Sequence, residues 1–160
     1  SFTGLRIGMA AAKGLSFGSD IPLVSIPSLD LYAYGKAYFP GTVVPVIDAR
    51  KKRVYSALYR DGGQNSTVLD CTPEELYRAL PGERVLLTGP YADALSTFSP
   101  FTQTGGSGEF ELHVDPAASD SRLNSLLKLG IERLNLEGPD HEAQGPLYVR
   151  RSEAEEGRRV

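Results

Sequence analysis

Residues 1–33 read SFTGLRIGMAAAKGLSFGSDIPLVSIPSLDLYA, and this stretch decides the fold class. Apolar side chains recur at the spacing of one helix face, at Phe2, Leu5, Met9 and Ala12. The pattern predicts a helix over residues 1–17. The apolar run 21–26 predicts a buried strand, and residues 28–39 predict a second helix. Helix, strand and helix in this order indicate a layered α/β protein.

The first predicted helix also carries a stripe of small residues. Gly4, Gly8 and Ala12 follow one another at four-residue spacing. Small side chains allow another backbone to approach the helix closely. Glycine inside a helix costs about 1 kcal/mol relative to alanine, so the stripe favours a compensating contact. That contact lies either within the molecule or with a partner.

A second lobe is predicted to begin after Pro40 and Gly41, which interrupt the chain. Residues 43–48 and 53–60 predict two strands joined by a tight basic turn. Pro45 lies inside the first of these strands. Because proline has no N–H to donate, it predicts either an edge strand or an irregularity at that point.

Further elements follow from caps and periodicity. Thr72 and Glu75 form a capping box, with Pro73 at the first helical position. The remaining predictions are a helix over 73–80, a strand over 84–88, a short helix over 91–98, a loop over 101–108, a strand over 110–114 and an amphipathic helix over 119–137. The charged tail 149–160 is expected to be mobile unless a partner orders it.

Composition excludes several classes of protein. The 160 residues are 41% hydrophobic and 23% charged, which is typical of a folded globular protein and not of a disordered or membrane-spanning chain. A net charge of -3 offers no bulk attraction for nucleic acid. The single cysteine excludes an internal disulfide, and it predicts a reducing, cytoplasmic compartment. No membrane or export segment is predicted.

The residue types that commonly carry chemistry are scattered. His113 and His141 are isolated in the sequence, which indicates structural or surface histidines more than metal ligands. Cys71 precedes a helix whose dipole could lower its pKa, but a buried small hydrophobic side chain or a plain loop thiol is the favoured interpretation, because no base accompanies it. Asp48 and Arg50 project to the same side of a strand end and are interpreted as a salt bridge on the hairpin.

Two further patterns resemble phosphate-binding sites only by composition. The basic run 50–53 occupies a predicted hairpin turn, where charged residues usually face water. Gly105, Gly106 and Gly108 lack the lysine of a phosphate-binding loop. No catalytic residue and no cofactor are predicted. A chain with a good core and no convergent polar site is more often a binding subunit than an enzyme.

Several stretches resemble the TsaB (YeaZ-like) family, whose members carry Gly-Pro-Gly immediately before the first of them. The matching stretches are 1–8 (SFTGLRIG), 13–15 (KGL), 22–23 (PL), 28–29 (SL), 47–50 (IDAR) with Val54 and Tyr55, and 146–150 (PLYVR). The resemblance covers nearly the whole chain and is weakest over residues 62–138.

This resemblance implies an α/β fold of the actin, sugar-kinase and heat-shock ATPase (ASKHA) type, built from two lobes. A complete family chain carries a leading segment before Ser1, so the first lobe is expected to be incomplete here. Residues 1–41 are expected to be the remainder of the N-terminal lobe and 42–148 the C-terminal lobe.

The resemblance also implies a function. TsaB proteins are noncatalytic partners of the transferase TsaD, which works with the ATPase TsaE to form threonylcarbamoyladenosine at adenosine 37 of tRNA. The expected complex is a heterodimer with TsaD that meets tRNA only indirectly. The residues predicted to contact TsaD lie on the first helix: Gly4, Arg6, Gly8, Ala12 and Lys13. Exposed apolar surface is expected to favour a homodimer when the chain is alone.

Two enzymatic alternatives remain open. One is a peptidase, because relatives have been classed as glycoproteases, although no metal-binding pair or nucleophile with a base is visible. The other is a small-molecule kinase of the same superfamily, whose phosphate-binding hairpin would lie before Ser1. A nucleotide titration would test the kinase, and recovery of TsaD from a lysate would identify the scaffold.

Overall fold

The computed structural model describes residues 2–81, 83–103, 110–116 and 122–150. The chain divides into two compact units. The smaller unit comprises Ser1–Pro27 and Leu127–Val160, and the larger is Ser28–Leu126. No helix in the described part of the chain is long and apolar enough to cross a membrane. The lobe boundaries expected at residues 41 and 148 stay predictions.

Two helices open the described chain, five strands follow, and helices and strands then alternate to the last described helix. In chain order they are α1 (Phe2–Ser19), α2 (Ser28–Ala33), β1 (Thr42–Arg50), β2 (Arg53–Ser56), β3 (Tyr59–Arg60), β4 (Gly63–Gln64), β5 (Leu69–Cys71), α3 (Pro73–Ala79), β6 (Arg84–Thr88), α4 (Ala92–Ser96), a short 3-10 helix (Phe101–Gln103), β7 (Glu111–Val114) and α5 (Leu123–Glu137).

The larger unit is built on a mixed sheet with β1 at its centre. β2 and β3 pair antiparallel with β1 along one of its edges, and β5 and β4 pair in turn with β2 and β3. On its other side β1 pairs in parallel with β6, and β6 pairs in parallel with β7. Helices interleave with these strands, so the predicted α/β class is confirmed.

Side chains cover both faces of this sheet. Neighbouring residues of one strand point to opposite faces, and Val43 and Val44 accordingly belong to two different apolar clusters. One cluster includes Leu76 of α3 and Leu95 of α4. The other includes Leu29 of α2. The sheet is therefore sandwiched between helices, as expected where parallel strands are buried on both sides.

Pro45 lies in this central strand, so the predicted edge position is wrong and the predicted irregularity is confirmed. Val46 of β1 is opposite Ser56 of β2. Val43, three residues earlier in β1, is opposite Tyr59 of β3, three residues after Ser56. β2 and β3 therefore share one register against β1 and are interrupted beside the proline. Proline cannot donate to the ladder. The Pro45 carbonyl accepts a hydrogen bond from the Ser56 hydroxyl at 2.8 Å.

The predicted strand over 21–26 is wrong. These residues form neither helix nor strand. The Leu23 carbonyl accepts a hydrogen bond from the Asp140 N–H at 2.8 Å, and the Ser25 N–H donates to the Asp140 carboxylate at 2.7 Å. A strand requires a neighbouring strand to complete its hydrogen bonds, and none pairs with this segment among the described residues.

The loop predicted over 101–108 is wrong at its start, where Phe101–Gln103 form a 3-10 helix, and its residues 104–108 lie outside the described residues. The remaining helix and strand predictions hold with shifted ends. The predicted helix over 28–39 ends at Ala33, because Gly35 adopts a positive φ of 74°, which terminates helices. The helix predicted over 73–80 is α3, and both hydrogen bonds of its capping box are present. The loop glycines at 105, 106 and 108 and residues 151–160 of the charged tail lie outside the described residues.

A buried charge cluster lies where the parallel strands β6 and β7 end. The Asp115 side chain is 4% exposed, and its carboxylate lies 2.8 Å from Lys36 Nζ and 3.0 Å from Arg122 Nη2. The Thr88 hydroxyl donates to the same carboxylate at 2.8 Å. Two cations and a hydroxyl thus balance one buried acid, which satisfies a group that would otherwise be costly to bury.

Candidate partner-binding face

Helix α1 carries all five residues that the sequence predicts for partner binding. None of its residues is fully buried, so it is not held by a hydrophobic core of its own. Two sides of the helix differ in surroundings. One side contacts the chain segment 140–148, and the other is exposed.

The contacted side begins at the first turn. The Phe2 and Tyr148 rings stack with their centroids 4.3 Å apart. The Arg6 guanidinium lies 4.3 Å from the Phe2 ring centroid, and Arg6 Nε donates to the Tyr148 hydroxyl at 3.0 Å. A guanidinium against an aromatic face is a favourable cation–π arrangement. Arg6 is therefore engaged inside the smaller unit.

Lys13 lies on the same side of α1, about two turns after Arg6. Its ammonium donates to the backbone carbonyl of Glu142. Arg6 and Lys13 are seven residues apart, which places them on the same side of a helix. Lys13 is half-buried, in contrast to the exposed residues around Gly8.

The exposed side carries the small residues. Gly4 and Gly8 are exposed, as are Ile7 and Leu15, and Leu15 has 74% of its surface accessible. A Cβ atom built on Gly8 would meet nothing within 4 Å. A partner helix could therefore come close to the backbone of α1 at Gly8.

The five predicted residues consequently divide between two sides. Two positions along an α-helix rotate the side chain by about 200°, so Arg6 faces away from Gly4 and from Gly8. Ala12 is half-buried at the border. The segment that engages Arg6 and Lys13 was not a predicted site, although Tyr148 lies in the quoted stretch PLYVR. The sequence signal that could have identified Tyr148 is its place in the family motif PLYVR.

Cys71 is the free thiol of the described chain. It ends β5 and is half-buried. Burial, followed by the nearby Glu75 carboxylate, raises the pKa of Cys71 to about 11. The helix dipole that the sequence offered as an activating influence is therefore outweighed, and the thiol is protonated at neutral pH.

The two histidines have ordinary partners. His113 Nε2 lies 2.9 Å from a Glu111 carboxylate oxygen, and its ring packs edge-on to Phe39 at 5.5 Å. His141 Nδ1 accepts a hydrogen bond from the Ala143 N–H at 3.1 Å. Within the described ranges, no group of three or more His, Cys, Asp or Glu residues could hold a metal ion.

Asp48 and Arg50 pair as the sequence predicts. Arg50 Nη1 lies 3.3 Å from Asp48 Oδ2, and the Arg50 N–H donates to Asp48 Oδ1 at 2.8 Å. Arg50, Lys51 and Lys52 adopt positive φ angles of 62°, 52° and 58° in the hairpin turn. The basic run is therefore a tight turn, and its Asp48–Arg50 salt bridge is largely exposed.

Comparison with known proteins gives the family. The family model described as "TsaD: tRNA N6-adenosine threonylcarbamoyltransferase" matches residues 1–85 of the 160. The TsaB protein of Bacillus subtilis is 42% identical over 60 residues, which cover 38% of this chain and 26% of that relative. The TsaB protein of Haemophilus influenzae is 30% identical over 119 residues, which cover 66% of this chain and 50% of that relative.

A solved structure shows the same fold. YeaZ from Pseudomonas aeruginosa matches 92% of this chain and 70% of its own with a TM-score of 0.63 at 20% identity. The predicted ASKHA-type α/β fold is thereby confirmed. The chain matches 26% of the length of one curated relative and 50% of the other. Because the family model covers more than half of it, the chain belongs to that family, and its curated relatives make it a TsaB/YeaZ member.

Proposed function

We propose that this chain takes part in forming threonylcarbamoyladenosine on tRNA as a noncatalytic subunit that binds TsaD and acts with TsaE. Its curated relatives are named tRNA threonylcarbamoyladenosine biosynthesis proteins, which supports the pathway. The match of residues 1–85 to the TsaD model supports a common ancestry with the transferase itself. Related folds that pair with one another are a common route to a heterodimer.

The exposed side of α1 is the observation that carries the proposed interface. Gly8 leaves the helix backbone accessible, Gly4 is exposed on the same side, and Ile7 and Leu15 flank them with apolar side chains. Small residues beside exposed apolar ones are typical of a surface that receives another helix. We assign the direct contact with TsaD to Gly4, Gly8 and Ala12. Arg6 and Lys13 lie on the opposite side of the helix and contact segment 140–148, so we assign them no direct contact with TsaD.

The charge of the chain fits an indirect role toward tRNA. A net charge of -3 gives no general attraction for a polyanion. The partners would therefore supply the contacts to the phosphate backbone, and the complex would work in the cytoplasm, where tRNA is modified. This proposal needs no cofactor on the chain.

Gly8→Leu tests the interface. The larger side chain would hold a partner helix away from α1, and we expect TsaD binding measured by calorimetry to be lost. Gly14→Leu is the matched control, because Gly14 is also exposed on α1 and has open space around it. It faces about 120° away from Gly8 and raises helix propensity to the same degree. Unchanged affinity in Gly8→Leu would contradict the assignment.

A further inference from the structure

The segment 140–148, which we name the strap, follows α1 along its whole length. Asp140 contacts Leu23 and Ser25, just beyond the C-terminal end of α1. Further along the strap, the Glu142 carbonyl accepts from Lys13, and Tyr148 reaches Phe2 at the opposite end. The strap therefore runs antiparallel to the helix.

The strap also explains which side of α1 is covered. Four of the half-buried positions of the helix are Phe2, Met9, Lys13 and Ser16. They recur at helical spacing and form one face. Phe2 and Lys13 of that face contact the strap directly. The exposed side with Gly4 and Gly8 is the side that the strap leaves open.

Helix α1 contributes no residue to the two hydrophobic clusters of the described chain. Its eighteen residues include none that is buried. Isolated helices of this length are marginal in water, and most helices in proteins depend on packing of one face. The strap supplies that packing, and its strongest anchor is at Tyr148, where stacking, the hydrogen bond from Arg6 and the cation–π contact meet.

We infer that Tyr148 is a positioning residue for partner binding: it holds the first turns of α1 so that the face with Gly4 and Gly8 is presented to TsaD. The inference rests on the proposed function for the identity of the partner. It assigns Arg6 a role through Tyr148 instead of a direct contact with TsaD. It also assigns a role in positioning α1 to the stretch PLYVR, whose residues lie far from the helix in sequence.

Tyr148→Ala, Tyr148→Phe and Leu147→Ala in the full chain test the inference. Hydrogen exchange followed by mass spectrometry reports α1 and, as an internal control, strands β1 and β6. In Tyr148→Ala we expect exchange in the first turns of α1 to rise at least tenfold, with β1 and β6 unchanged. TsaD affinity measured by calorimetry should fall about tenfold. Tyr148→Phe retains the stacked ring, so we expect its exchange rates in α1 and its TsaD affinity to stay close to those of the unsubstituted chain.

Leu147→Ala is the control, because the Leu147 side chain is 64% exposed and adjoins Tyr148 in the strap. Exchange of α1 in Tyr148→Ala that equals exchange in Leu147→Ala would overturn the inference. The inference would also be overturned if Tyr148→Ala speeds exchange in α1 but keeps full TsaD affinity while Gly8→Leu abolishes binding. If neither Tyr148→Ala nor Gly8→Leu weakens TsaD binding, the proposed interface itself is wrong, and that result is distinct from failure of the strap.

Discussion

Asp115 shows how much one buried residue determines in the larger unit. Its carboxylate faces Lys36 and Arg122, whose side chains are 12% and 15% exposed. Removing the acid leaves two cations close together with little water to screen them. We expect Asp115→Ala to lower the free energy of unfolding by about 3–5 kcal/mol, the range for breaking a buried ion pair. Urea denaturation would measure it.

Glu111→Gln is the matched control for Asp115. Glu111 belongs to the same strand region and pairs with Arg84 at 2.8 Å, but both side chains are more than half exposed. Exposed ion pairs contribute little because water screens them. Urea midpoints should therefore barely move in Glu111→Gln. An equally small shift in Asp115→Ala would contradict the view that the cluster stabilises the fold.

At the scale of elements, α3 depends on a cap that is readable in the sequence. The Thr72 hydroxyl accepts from the Glu75 N–H at 3.2 Å, and the Glu75 carboxylate accepts from the Thr72 N–H at 2.7 Å. We expect Thr72→Ala to reduce the free energy of unfolding by about 1 kcal/mol, because a helix N–H loses its partner. Thermal unfolding followed by circular dichroism would report it.

Thr97→Ala provides the comparison for Thr72. The Thr97 hydroxyl donates to the Ala94 carbonyl at 2.8 Å at the other end of a helix, and the residue is exposed. Its loss should change the free energy of unfolding by no more than about 0.5 kcal/mol. Equal effects of the two substitutions would mean that the capping hydrogen bonds of α3 add no stability.

Elements with local signals could be predicted, and elements that depend on distant partners could not. Residues 73–79 form a helix because its cap and its proline lie within four residues of one another. Residues 21–26 have the apolar run of a strand, but a strand forms only beside another strand. Pro45 shows only that an N–H is missing from the strand. It could not reveal that β1 has neighbouring strands on both edges.

The candidate site divides in the same way. The spacing of Gly4 and Gly8 reveals a small-residue face on α1, because helix geometry alone brings them together. The contact of Arg6 with Tyr148 joins residues 142 positions apart. The spacing of residues in the sequence does not reveal such a contact. Arg6 is therefore predicted to contact the partner, whereas its hydrogen bond lies within the chain.

At the scale of the whole molecule, the polar residues with potential chemistry are dispersed over both compact units. His141 lies in the smaller unit, whereas Asp48, Cys71 and His113 lie in the larger one. General acid–base or covalent catalysis requires a nucleophile and a base within hydrogen-bond reach. Burial keeps the Cys71 thiol protonated, since its pKa is raised to about 11.

We therefore expect that alanine at Asp48, Cys71, His113 or His141, introduced one at a time, leaves tRNA threonylcarbamoylation intact. Asp48 pairs with the neighbouring Arg50 on an exposed hairpin. The polar partners of the two histidines lie within two residues, and the His113 ring also packs against Phe39, so none of these contacts joins a nucleophile to a base. The assay is threonylcarbamoyladenosine formed by the chain with TsaD and TsaE, normalised to the amount of complex. Before this normalisation, Gly8→Leu should give no product because it removes the complex, which would show that the assay responds to this subunit. A variant that assembles normally but stops the reaction would show that the chain contributes chemistry and not only a surface.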